Sequence, residues 1–153
     1  MLGQGWGSQW ARVQRRLKDV RAVYTGIPGG IDEAVDRVLC FFEAVHHLKD
    51  WLGNDPAITV EKADGDALIN SCLELKLCAD LANGSKHLTL RPDLTRTGDP
   101  STTIARNDTF VLLGAGSTHR FYVASGGKEY DVLQIAEDAV KEWSMFLSAR
   151  GLT

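Results

Sequence analysis

The residues best equipped for chemistry in this 153-residue chain lie in one short segment, Asp80-Leu81-Ala82-Asn83-Gly84-Ser85-Lys86-His87. Histidine is the side chain that changes charge near neutrality, so His87 can give or take a proton. Lys86 can hold a phosphate, Asn83 can orient a hydroxyl or a base edge, and Asp80 can orient a partner. The same residues also have a structural reading. Asn83-Gly84 ends a helix, since both tolerate the left-handed conformation, and Lys86 and His87 complement the negative helix terminus.

Two other constellations compete with it. Asp36, Cys40, Glu43, His47 and Asp50 fall within about 40° of one line on a helix, which is also how an ordinary solvated face reads. Glu43 with His46 or His47 resembles half of a carboxylate-bridged metal site, but such bundle sites need a second Glu-x-x-His pair and further glutamates. No metal and no cofactor is expected. Arg12, Arg15, Arg16 and Arg21 favour arginine over lysine, which suits bidentate phosphate contacts in nucleic-acid binding. Trp6 and Trp10 could add stacking. Solvation, pairing within the chain or an acidic protein partner would serve that basic face equally. Gly114-Ala115-Gly116 links two strands and is a hairpin turn, not a phosphate loop. His119 beside Arg120 reads as surface.

The elements that must position these groups follow from periodicity. Trp6, Trp10, Val13, Leu17, Val20 and Tyr24 form one apolar seam, predicting a helix over about 6–24 that Ile27-Pro28-Gly29-Gly30 stops. Ala34, Val38, Phe41, Val45, Leu48 and Leu52 predict a second over about 31–52. A third, about 66–83, is expected to be capped by Asp64-Gly65-Asp66 and stopped by Asn83-Gly84. Between about 87 and 130 the pattern changes to strands, with Leu88–Arg91 as one short candidate. Thr102–Leu113, Thr118–Ser125 and Lys128–Tyr130 read as an antiparallel meander. Asp131 caps a final helix to about 149, where Glu137 and Lys141 make a favourable pair. If the second and third helices are antiparallel neighbours, their polar stripes converge only if they cross steeply or the 84–87 turn folds back.

Composition sets the outer limits. With 44% hydrophobic and 24% charged residues, 1–153 reads as a single domain able to bury its own core. Five basic side chains against one acid give residues 1–24 a net +4, leaving −7 for the remainder of a chain whose total is −3. That balance excludes a polybasic protein. No apolar run reaches the roughly 18 residues of a membrane span, and MLGQGWGSQWARVQRR lacks the apolar core of a secretory signal. Cys40, Cys72 and Cys78 lack zinc-finger spacing and are expected to be free thiols, in keeping with a cytoplasmic location.

The helical skeleton and the segment Ala82-Asn83-Gly84-Ser85-Lys86-His87 resemble the HEPN superfamily of four-helix domains. There an Arg, often followed by Asn, precedes a His with four to six residues between. Here Asn83 and His87 match, and Ala82 stands where the Arg would be. The sequence pattern predicts an α+β, helix-dominated fold of four helices with a small antiparallel β-meander inserted before the last, and the resemblance makes those helices a four-helix HEPN-like bundle. It implies an RNA-directed function in a toxin-antitoxin or phage-defence setting. The missing Arg fits a degenerate member that binds RNA as well as it fits a metal-independent endoribonuclease. His87, Lys86, Asn83 and Asp80 would form its site, and Arg12, Arg15, Arg16 and Arg21 would contact RNA. The alternative is a non-enzymatic interaction module. A homodimer or a protein partner, formed through the first-helix seam and the meander, would then carry the function.

Overall fold

A computed structural model describes residues 4–114 and 116–153. The first two helices are α1 (Gly5–Thr25) and α2 (Ile31–Asn54). They run antiparallel, with the Trp6 amide donating to Asp55 (2.8 Å) and Gln9 Nε2 to the Ala44 carbonyl (2.8 Å). The predicted seam is consumed inside the chain: Trp10, Val13, Leu17 and Val20 are buried, and Trp6 and Tyr24 are half-buried against the core.

The expected third helix is two helices, α3 (Lys62–Ser71) and α4 (Leu73–His87), so the described residues hold five α-helices. The break is Cys72, extended at φ −122°, ψ 125°. Asn70-Ser71 are weak helix formers, and the Ser71 hydroxyl bonds the Leu68 carbonyl instead of continuing the ladder (2.7 Å). α3 begins earlier than expected, because Asp64 accepts the Glu61 amide proton (2.9 Å) from the third helical position and does not itself cap. Gly65 lets α3 sit directly on α2, since a Cβ there would lie 2.8 Å from Lys49 Cβ.

Asn83-Gly84 does not end the helix either. The Leu88 amide still reaches the Gly84 carbonyl (2.9 Å), and the chain turns at Leu88. Two residues that permit a left-handed turn do not compel one. α4 thereby gains a last turn bearing Lys86 and His87. It is buried along Leu75, Leu77, Cys78, Ala79, Leu81 and Ala82.

Leu88–Arg91 is not a strand. The segment runs through a bend into a short 3-10 turn, Pro92–Leu94. The meander follows as β1 (Thr103–Leu112), β2 (Gly116–Ser125) and β3 (Lys128–Asp131), antiparallel in the order β1-β2-β3. Ala115, in the expected Gly114-Ala115-Gly116 turn, lies outside the described residues. Ser117, His119, Phe121, Val123 and Ser125 of β2 are buried, so His119 is an interior residue and not a surface one. Its Nδ1 lies 2.9 Å from Thr109 Oγ1 and its Nε2 2.7 Å from Ser117 Oγ. Because Ser117 donates its own proton to the Gly29 carbonyl (2.9 Å), Nε2 carries the imidazole proton.

The last helix is α5 (Val132–Ala149), with Asp131 accepting the Leu133 and Gln134 amides as its cap. Glu137 pairs with Arg21 (2.6 and 2.7 Å), not with Lys141, because α1 lies beside α5 and offers a bidentate donor. The chain is therefore α+β and helix-dominated, with a small antiparallel sheet before its last helix. Among the described residues no helix is long and apolar enough to cross a membrane. Cys40, Cys72 and Cys78 are free thiols.

Candidate functional site

α4 lies against α2, and a cleft of about 580 Å³ opens where the two meet the 88–96 segment. His46 comes from α2. Asn83 and His87, one turn apart, come from α4, and Arg91 and Arg96 flank the Pro92–Leu94 turn. Leu90 and Leu94 supply its apolar wall. The two polar stripes do not converge in this cleft, since none of Asp36, Cys40, Glu43, His47 and Asp50 lines it. At the rim the Ser85 hydroxyl approaches Glu43 Oε1 (2.9 Å).

The 91–97 segment is held in place by α4. Asp80 is fully buried, and its carboxylate accepts the Arg96 amide (2.7 Å), the Thr97 amide (2.9 Å) and the Thr97 hydroxyl (2.6 Å). Arg96 reaches back to α3, donating to Asp66 Oδ1 (2.8 Å) and Asn70 Oδ1 (3.0 Å). Burial works against Asp66 ionisation, but Lys49 and Arg96 more than offset it and hold the carboxyl below its usual range. Among the described residues Arg91 pairs with Asp93 alone, in its own turn (2.8 Å) at the surface, so its guanidinium can exchange that partner for a ligand.

His46 is the enclosed member of the cleft. Its Nδ1 is buried without a hydrogen-bond partner. Burial, reinforced by the positive charge of Lys49, pushes its pKa down to about 4, so the ring is neutral at pH 7. His87 sits at the mouth, exposed on the last turn of α4. Immediately after it, Leu88 adopts φ 65°, ψ −41°, and the Thr89 amide bonds the His87 carbonyl (2.7 Å). This is a γ-turn of the rare, strained form.

The residues singled out from sequence divide accordingly. Asn83 and His87 share the cleft. Lys86 is exposed and does not line it, and Asp80 lies beneath it as an anchor for the Arg96-Thr97 backbone. None of the four α1 arginines lines the cleft. Arg12 bonds Gln9 (2.7 Å) and lies 5.7 Å from the centre of the Trp51 ring, Arg16 pairs with Asp19 (3.0 Å), and Arg21 pairs with Glu137. Arg15 is exposed. In the second-helix stripe His47 is exposed, and its neighbour His46 faces the cleft instead. Among the described residues no three His, Cys, Asp or Glu side chains are grouped as a metal site.

His46, Arg91 and Arg96 are the cleft residues that sequence reasoning passed over. The signal for His46 was its adjacency to His47. The signal for the arginines was their place within a Pro-, Asp- and Gly-bearing loop directly after the Asn83–His87 motif. Ala82 is buried in the core, and the cations that line this cleft, Arg91 and Arg96, come from that loop.

No family model matches the chain, and neither a curated protein nor a solved structure matches it.

Proposed function

We propose that the chain is an RNA-directed, HEPN-like protein whose cleft holds a phosphodiester. One observation carries this reading: His46, Asn83, His87 and Arg91 line a single cleft on the helix that bears the HEPN-like motif. In this reading α1, α2, α4 and α5 are the four bundle helices, with α3 as an added arm. Arg91 neutralises the phosphate in place of the guanidinium that Ala82 lacks. His87 gives or takes a proton at a bridging oxygen. Asn83 orients a hydroxyl or a base edge. His46, uncharged at neutral pH, adds a hydrogen-bonding wall without adding charge. A second groove of about 530 Å³ adjoins the cleft along Thr89 and Leu90, with Leu39, Leu81 and Ile104 as apolar walls and Ser101 and Thr103 at its rim. It offers a flanking nucleoside a neutral bed. The setting that fits is cytoplasmic, in defence or toxin-antitoxin systems.

The test is retention and cleavage of labelled RNAs, tRNA included, with and without EDTA. Wild type is expected to bind RNA with a salt-dependent affinity that falls in Arg91→Ala and Asn83→Ala. Cutting that survives EDTA and disappears in His87→Ala marks an endoribonuclease. Binding without cutting marks a degenerate member. Failure of the folded wild type to retain any RNA at low salt would overturn the reading.

A further inference from the structure

β1 is an edge strand, and among the described residues no backbone group bonds its outer side. On β2, Phe121 directs both its N–H and its C=O to the Tyr24 hydroxyl (3.3 and 3.1 Å), and Ser117 directs both of its own to Ile27 (2.8 and 2.9 Å). Neither residue therefore bonds β1. Their partners Asn107 and Val111 are non-hydrogen-bonded positions of the β1–β2 ladder, as is Thr109 opposite His119. The backbone N–H and C=O of Asn107, Thr109 and Val111 consequently point outward along the open edge.

The stretch able to pair is bounded on both sides. A bulge between Ile104 and Arg106 interrupts β1 at one end, and the strand stops at Leu112 at the other, where Leu113 and Gly114 (φ 73°) turn the chain. Phe110 lies near the middle of what remains, residues 107–112. Phe110 and Val111, on opposite faces of β1, are 68% and 79% exposed, and Leu113 in the turn is 101% exposed, so the open edge ends in exposed apolar side chains. Lysine and proline, two common guards of such an edge, are absent from this stretch, whose one charge is Asp108.

We propose that β1 pairs antiparallel with β1 of a second copy, about a two-fold axis through Phe110, to form a continuous six-stranded sheet. Thr109 and Val111 of each copy then exchange backbone hydrogen bonds with Val111 and Thr109 of the other. Phe110 meets its own counterpart at the close, non-hydrogen-bonded position, where cross-strand aromatic pairs pack best. Charge and shape select this register. An axis at Arg106 or Asp108 sets like charges directly opposite, one at Asn107 runs into the bulge, one at Thr109 faces Phe110 with Asp108, and one at Val111 or Leu112 carries the outward pairs into the turn. In the proposed register Asp108 faces Leu112 and keeps its ion pair with Arg106 (3.0 Å). The pairing removes on the order of 1,000 Å² in total, the low end for a specific interface, so the dimer is a weak, reversible one. It is independent of the RNA reading, because the cleft takes no part in it.

Sedimentation equilibrium of the full chain, from about 1 to 300 µM, tests the proposal. A monomer–dimer equilibrium is expected, weakened about tenfold or more by Phe110→Lys and by Val111→Pro. The proline removes an outward N–H without touching the β1–β2 ladder, and circular dichroism checks that each variant keeps its fold. Register is read by mild oxidation. Phe110→Cys crosslinks between copies, because facing Cα atoms lie about 4.5 Å apart at such a position. Asp108→Cys does not, because its two copies are about 14 Å apart along the strands. A monomer at every concentration would overturn the proposal. So would a dimer indifferent to both Phe110→Lys and Val111→Pro, or Asp108→Cys crosslinking as readily as Phe110→Cys.

Discussion

Asp80 Oδ2 accepts both the amide and the hydroxyl of Thr97, at 2.9 and 2.6 Å, from a carboxylate with no exposed surface. With the Arg96 amide on Oδ1, one side chain of α4 anchors the segment that brings Arg91 and Arg96 to the cleft. Hydrogen bonds to a buried charged group contribute about 1.5–3 kcal/mol each, and removing the acceptor strands three donors. Asp80→Ala is therefore expected to cost about 3 kcal/mol or more in urea unfolding. Limited proteolysis should cut the Arg91–Gly98 segment first. An unchanged midpoint and an uncut loop would show that the 91–97 segment is held by something else.

The γ-turn after His87 gives the opposite sign. Leu88 holds a positive φ that only glycine adopts without strain, and its side chain is 92% exposed, so little packing is lost on truncation. Leu88→Gly should raise stability by about 1 kcal/mol, read as a higher denaturation midpoint at unchanged m-value. Leu88→Ala, which keeps the Cβ and the strain, should not. Equal behaviour of the two variants would mean that the turn is not strained.

How much of this was legible beforehand depends on what each signal encodes. The α1 seam, the broad α2 stripe, the Asp131 cap and the meander are periodic or local, and they stand as expected. The split of the third helix was hidden because Leu68, Cys72, Leu75 and Ala79 keep helical spacing straight across the break at Cys72. Asn83-Gly84 misled because the pair marks permission to turn, while the turn itself fell on Leu88. Of the site, Asn83 and His87 were visible through the spacing of the HEPN-like motif, although His87 was expected past the helix end. His46, Arg91 and Arg96 depend on how α2, α4 and the loop meet. Asp80 was visible as a polar residue aligned with Asn83 on the predicted helix. Its burial, and hence its anchoring role, arises only once the Arg96-Thr97 backbone folds over it.

Gly116 marks a position where the fold leaves no choice. Its φ is 88°, and a Cβ there would overlap the Ile27 carbonyl. That carbonyl belongs to the bridge in which Ile27 and Ser117 exchange hydrogen bonds of 2.9 and 2.8 Å, joining the end of α1 to β2. Gly116→Ala should cost about 3 kcal/mol or more, through strain and loss of the bridge together. Gly114→Ala, also at positive φ but with open space around it, should cost only about 1 kcal/mol. Denaturant unfolding of the pair separates steric exclusion from backbone preference, and similar losses would remove the steric argument.

His46 predicts the acid side of the stability profile. Its pKa in the folded protein is about 4, lowered first by burial and then by Lys49 and His47, with Asp50 opposing. An unfolded histidine titrates at about 6.5. Between those values the unfolded chain binds more protons than the folded one, so stability rises with pH across the window. Conversely, acidification from about 6.5 towards about 4 should remove up to about 3 kcal/mol. His119, whose pKa burial also lowers, adds to the loss in the same direction. Below about 4 the His46 contribution is spent, and Asp66, held ionised by Lys49 and Arg96, takes over as its carboxylate protonates. His46→Gln should flatten the profile between pH 4 and 6.5 while leaving the plateau above pH 7 nearly unchanged. Urea unfolding at stepped pH measures the slope, and the imidazole C2–H resonance reports the titration directly. A His46 resonance titrating near pH 6.5, or a variant whose profile keeps the wild-type slope, would show that the ring is hydrated and not enclosed.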